Sequence, residues 1–454
     1  MRSYPIHTAL TLILVAAGIA GARRFAPRLK APDASVFWSI VNFAPEAATP
    51  WRRRAEPAPV RSVRLKIRPA LLDDSGGSLD SFYAALWSTE RREPGAVTRI
   101  VHYGDSPTTA DLITGDVRLL LQKRFGDAGH GFVLPAKPWA WYQHTGVQVS
   151  GSGWKMLPAS HFEAHDGLFG LGGVTFTGQA GASSRLVFET PGHTDFEVWF
   201  LRQPGGGAFT VEADGQALGR VETAAEEPAP GFASFHSAAP AETLELRVDR
   251  ESVRLFGISA GKPGPGVVYD SLGLNGASIT VLSRMFNREH WAAELEHRDP
   301  RLVIVNYGTN EADFGKFIDH GYEAELREAI ARVRAAVPRA SILVMSPMDR
   351  GYLSGPGEIS TMPTIPRLIT IQRRVAAETG CGFFDTFASM GGEGTMARWY
   401  AAQPRLVSAD FIHPTPQGGR IVALAFVREI EAGLDRYKLN ETAASDEAGR
   451  RTLH

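Results

Sequence analysis

The chain has 454 residues, 44% apolar and 21% charged, with a formal net charge of -1. That length suits two or three domains, and the balanced charge excludes the broad basic field of a nucleic-acid binder. The lone cysteine, Cys381, excludes an internal disulfide and a multi-cysteine metal site, and the 13 histidines include no HExxH pattern.

Arg2 precedes a short apolar run, "HTALTLILVAAGIAGA", which ends in small residues and is followed by Arg23-Arg24. The run is short for a membrane span and has the length of a secretory h-region. Residues 1–25 are therefore expected to be a signal peptide or a membrane anchor, which implies export and N-terminal membrane contact. Residues 26–78, rich in Pro and Arg, read as linker. A helix is predicted over 79–93, a strand over 98–103 and a helix over 108–125. Residues 126–173 read as irregular.

From 174 to 260 the pattern becomes short and alternating, as in "SRLVFET", "FEVWFLR" and "TLELRVD". Asp214-Gly215 is a two-residue hairpin signal. These strands predict a β-sandwich. Apolar strands at 266–271, 301–308, 340–347 and 381–385 then alternate with helices at 277–297, 321–337, 364–379 and 415–434. Such alternation implies a parallel sheet covered on both faces. The predicted organisation is thus one α/β domain in two parts, 79–128 and 262–436, interrupted by a β module over 129–261. A polar tail, 437–454, reads as solvated.

Binding sites in open α/β sheets form at the carboxyl ends of the strands. Four such places here carry polar signals: "GDS" at 104–106, "NGAS" at 275–278, "GTNE" at 308–311 and "DFIH" at 410–413. Ser106 alone could be a helix N-cap. The four blocks in order resemble the SGNH (GDSL) hydrolase family over roughly 96–125 and 262–435. The resemblance implies a flavodoxin-like parallel-sheet fold and a serine esterase. Ser106 would be the nucleophile, His413 its base, and Asp410 the carboxylate that holds the imidazole. The same resemblance assigns the oxyanion donors to the backbone N–H groups of Ser106 and Gly276 and to the Asn310 side chain. Glu311 and Pro107 depart from the common family pattern. His102 reads as structural, and Asp105 as a brace of its loop.

The 170 positions between Ser106 and Gly276 leave room for the β module. This arrangement looks like the bacterial peptidoglycan O-acetylesterases of the family, which carry an inserted carbohydrate-binding-like module. Removal of O-acetyl groups from a cell-wall or other polysaccharide is the implied activity, with no metal or other cofactor and no nucleic-acid partner. The insertion also suggests that the module is separable from small-ester chemistry. Trp139, Trp141 and Tyr142, at the module's entrance, are candidates for stacking on sugar rings or for filling the domain seam. An SGNH O-acetyltransferase, a lipase or thioesterase, and a carbohydrate-binding protein on an inactive scaffold are the alternatives.

Overall fold

The computed structural model describes residues 70–160 and 166–451, with side chains to 444. The apolar run of the N-terminus and most of the predicted linker lie outside these residues. Among the described residues, no helix is long and apolar enough to cross a membrane.

The central sheet has six strands: β1 (Leu72–Asp73), β2 (Val97–Gly104), β3 (Gly266–Gly273), β4 (Leu302–Asn306), β5 (Ser341–Met345) and β6 (Gly382–Phe384). Their spatial order is β1-β6-β5-β4-β2-β3. The strands β2 to β6 pair in parallel, and β1 adds antiparallel to β6. The end of the predicted linker is thus an edge strand.

Period-two alternation divides the sheet between two apolar layers. Ile100, Ile304 and Leu343 face α1 (Asp80–Glu90), α3 (Thr114–Phe125) and α7 (Pro416–Arg451). Val101, Val303 and Val344 face α4 (Arg288–Arg298), α5 (Tyr322–Ala336), α6 (Thr364–Glu378) and the inserted strands. The helix predicted over 108–125 is broken: a short helix α2 (Ser106–Thr109) precedes α3. Asp111, at φ 53°, makes the break. Its carboxylate is fully buried, pairs with Arg118 at 2.6 Å and accepts hydrogen bonds from Thr114 Oγ1 and the Thr145 amide. Burial opposes its ionisation, but Arg118 outweighs this and holds the carboxyl well below its usual range. The tail read as solvated continues α7 to Arg451, because its Ala, Glu and Arg residues are good helix formers.

The insertion holds nine strands, all paired antiparallel. Two of them, Gly129–Val133 and Val147–Pro158, lie in the stretch read as irregular. Glycines at 151 and 153 hide the second from a propensity reading. Another, Ala229–Ala241, was also not predicted. It carries Pro230 and Pro240 and ends the strand order, where proline is tolerated. Hydrogen bonds join the nine strands in one branched network rather than in two separate sheets. Val174–Phe188 causes the branch. It pairs with Val253–Gly261 through residues 176–178 and with Thr243–Arg250 through 183–187. At the predicted hairpin, Asp214 and Gly215 both have positive φ, 48° and 77°, as the mirror-image tight turn requires.

The core of the insertion is continuous with that of the α/β part. Phe132, Phe169 and Leu171 belong to the same apolar cluster as Leu274, Phe286 and Trp291 of the α/β part. Phe132 N donates to Asp270 Oδ1 at 2.8 Å, and Leu171 N donates to the buried Glu294.

Candidate active site

Three strand ends meet at the carboxyl edge of the sheet. Gly104 of β2 is in register with Gly273 of β3 and with Asn306 of β4. Helix α2 rests directly on these ends. A Cβ on Gly104 would lie 2.2 Å from Thr108 Oγ1, and one on Gly273 would lie 2.0 Å from the Thr109 nitrogen. Only glycine permits this approach, which sets Ser106 at the start of α2, half-buried at the mouth of a cavity of about 580 Å³.

His413 reaches the same cavity from a loop just before α7. Ser106 Oγ and His413 Nε2 are 2.7 Å apart, and His413 Nδ1 and Asp410 Oδ2 are also 2.7 Å apart. The other Asp410 oxygen accepts from the amides of Ile412 and His413. Burial works against the charge, but these amides and the imidazole lower the Asp410 pKa from its ordinary value. The loop is closed by a hydrogen bond of 2.8 Å from Ser408 N to His413 O. Between the two site residues, Phe411 is held at φ 59°. Its carbonyl accepts from Gly351 N, and its ring meets Tyr400 edge-on at 4.9 Å. Such a conformation in a bulky residue costs about 1–3 kcal/mol and persists only where its surroundings fix it.

Gly276 and Asn310 line a second cavity, about 480 Å³, walled by Val281, Met285, Phe314 and Phe317. Gly276 is exposed at φ 71° with open space where a Cβ would project. The Asn310 amide donates to Ala277 O at 2.7 Å, which orients it and leaves its second N–H unspent. The neighbouring Glu311 makes a parallel cross-link, since Oε1 accepts from Ile279 N at 2.8 Å. Sequence reading passed over this link, and its signal was only an acidic residue beside Asn310. Asn275, which opens the second polar block, lines the Ser106 cavity immediately before Gly276.

His102 stands apart from this group. It is buried between Tyr269 OH, 2.7 Å away, and Asn306, and burial lowers its pKa to about 4. It is therefore a neutral core imidazole near neutral pH. The three aromatic candidates separate. Trp141 is 49% exposed and lines the Ser106 cavity. Trp139 packs partly against the core. Tyr142 is buried, and its hydroxyl accepts from Leu134 N at 3.0 Å. Tyr142 is thus not a sugar-stacking residue: it holds the loop that presents Trp141. Among the described residues, no group of three or more His, Cys, Asp or Glu is placed to hold a metal.

Burial pushes the Glu311 carboxyl up to about 7 and that of Asp105 up to about 6. A carboxyl with a raised folded pKa keeps its proton longer in the native state, so stability is present at acid pH and falls as pH rises through the folded pKa. For Glu311 the window runs from its ordinary 4.5 to about 7, and the loss is on the order of 3 kcal/mol. Glu311→Gln should remove this component, so that the variant gains on the wild type between pH 5 and pH 8. Urea unfolding at both pH values checks it; an unchanged difference between the two proteins would remove Glu311 as the cause.

A parallel sheet with a hydrogen-bonded Ser-His-Asp chain at its carboxyl edge is the arrangement of a serine-hydrolase site. The model of the GDSL-like lipase/acylhydrolase family matches residues 251–421, so this part of the chain is similar to that family of ester hydrolases. An acetylxylan esterase of Geobacillus stearothermophilus is 25% identical over 183 residues, covering 38% of this chain and 76% of the relative. A solved structure of a peptidoglycan O-acetylesterase is similar with a TM-score of 0.69 and 24% identity, covering 81% of this chain and 99% of that one. The fold is that of an SGNH hydrolase with a β-rich insertion.

Proposed function

We propose that the protein is an exported esterase that removes O-acetyl groups from a polysaccharide through an acyl-enzyme on Ser106. The observation that carries this reading is the pair of 2.7 Å contacts joining Ser106, His413 and Asp410 at the mouth of an open cavity. The Ser106 hydroxyl donates to His413 Nε2, and the imidazole takes its proton as Oγ attacks the ester carbonyl. His413 Nδ1–H donates to Asp410, which fixes the tautomer and stabilises the imidazolium. The negative charge on the carbonyl oxygen falls to the backbone N–H groups of Ser106 and Gly276 and to the free N–H of Asn310. Collapse breaks the bond to the sugar oxygen, which takes the proton from His413 and leaves as the hydroxyl; water then attacks the acyl-enzyme as His413 takes its proton, and acetate leaves as that proton returns to Ser106.

Trp141 and Asn275 line the same cavity as His413. The leaving alcohol receives its proton from His413, so this cavity takes the sugar. Acetylated substrates are favoured by the acetylxylan esterase and peptidoglycan O-acetylesterase likenesses, and export by the predicted N-terminal segment. A fluorophosphonate probe should label the wild type and not Ser106→Ala, and only the wild type should release acetate from 4-nitrophenyl acetate. Equal labelling of both proteins would overturn the assignment of the nucleophile.

A further inference from the structure

Between β5 and α6 the chain forms a hairpin, in which Gly351–Gly355 pairs with Glu358–Thr361. Its base is anchored apart from the triad. Asp349 is 1% exposed, and its Oδ2 accepts from Met396 N at 2.8 Å. Met362 N donates to Arg350 O at 2.7 Å and closes the hairpin. The backbone of Arg350 is therefore fixed by groups that take no part in the reaction.

From this anchor two contacts reach the site. The Arg350 guanidinium donates to Thr309 O and to Asp313 Oδ2, each at 2.6 Å. These two acceptors bracket Asn310. The next residue, Gly351, donates its N–H to Phe411 O at 2.8 Å, and Phe411 lies between Asp410 and His413. Thr309 makes a further link, since its side chain hydrogen-bonds the buried Asp105 carboxyl beside Ser106. One dipeptide, Arg350-Gly351, thus touches the turn that carries Asn310 and the loop that carries His413.

The chemistry of these contacts decides their weight. The Thr309 carbonyl belongs to the planar peptide that continues into Asn310, so holding its oxygen fixes the plane from which Asn310 departs. The bond is charge-assisted, and the Arg350 side chain is only 14% exposed, so water competes little for it. The Asp313 side chain is 48% exposed and adds direction more than energy. A guanidinium spans two acceptors in a fixed geometry, which an ammonium does not. Ala277 O orients the Asn310 amide; Arg350 orients the backbone beneath it.

We propose that Arg350 is a positioning residue for ester cleavage, holding the Asn310 donor where charge develops on the carbonyl oxygen. The inference rests on the esterase reading of Ser106. An oxyanion donor acts in the transition state and little in the bound ester. Single-turnover kinetics on 4-nitrophenyl acetate, with enzyme in excess, separate the two. Arg350→Met keeps an unbranched stem and removes both guanidinium contacts. Acylation should slow about 10- to 100-fold, while the dissociation constant of the ester stays within about twofold. The midpoint of the acid limb, set by His413 and Asp410, should not move. Guanidinium chloride at about 50 mM should restore Arg350→Ala at least about fivefold and leave His413→Ala unchanged. An arginine with a merely structural role would weaken binding and melting instead. Acylation within about twofold of the wild type, a loss confined to the dissociation constant, or no rescue by guanidinium would overturn the proposal. Should Arg350→Met not melt cooperatively, Arg350→Lys carries the test. Its ammonium replaces the fork by a single point of contact, so acylation should slow at least about threefold, and the full rate would overturn the proposal. If Ser106→Ala cleaves the ester as fast as the wild type, the reading of Ser106 fails, and this proposal with it.

Discussion

His413→Ala should lose about 10⁴-fold or more in kcat, and Asp410→Asn markedly less, about 10²- to 10³-fold. The difference follows from where the two groups stand. His413 Nε2 is the one base within hydrogen-bond distance of Ser106 Oγ among the described residues, and alanine leaves the serine proton with no acceptor. Asp410 acts one step removed, through Nδ1. Its side chain is 45% exposed and that of His413 35%, so water screens part of the stabilisation it gives the imidazolium. Asparagine at 410 can also keep the acceptor that receives the Ile412 and His413 amides, so the loop geometry survives. What it loses is the charge and the acceptor that sets the tautomer. Steady-state kinetics on 4-nitrophenyl acetate, with circular dichroism to verify folding, decides the ranking. A folded Asp410→Asn that is worse than His413→Ala would reverse the two roles.

Excision of residues 130–260 should abolish folding rather than release a working small-ester hydrolase. The cut would expose Leu274 and Phe286, each now no more than 3% accessible and packed beside Phe169 and Gly173 of the insertion. Each large apolar side chain returned to water costs about 1.5–3 kcal/mol. Two such residues amount to roughly 3–6 kcal/mol, a large part of the net stability of an ordinary domain. The cut also removes the Leu171 amide from the buried Glu294 and the Phe132 amide from Asp270. The truncated chain should be insoluble or melt without a cooperative transition. A soluble product with a sigmoidal thermal melt and turnover on 4-nitrophenyl acetate would contradict the shared core. This outcome differs from the separability that the insertion's place between sequence blocks suggests. Chain continuity marks where a segment enters and leaves, but carries no information about what it packs against.

The amino-acid sequence by itself determined the parallel sheet, because strands buried on both faces write themselves as near-continuous apolar runs such as "RLVIVNYG". It also marked the polar residues at the strand ends, where glycines 104, 273 and 276 signal close approach or a left-handed turn. Ser106, Asp410 and His413 were named from short local blocks, and the chain folds them into hydrogen-bond contact although Ser106 and His413 are 307 positions apart. Only the tertiary structure decided the rest. Tyr142 and Trp141 are adjacent aromatics of similar polarity, yet one is buried and the other lines the cavity, because the Leu134 amide lies within reach of only one of them. Asp111 breaks a helix that local periodicity continues, because its carboxylate finds Arg118 and the Thr145 amide. Val174–Phe188 changes partners midway, and Glu311 ties two loops that are 32 residues apart. Each of these depends on a partner distant along the chain. Local periodicity reports which face of an element is buried, but not which distant group covers it.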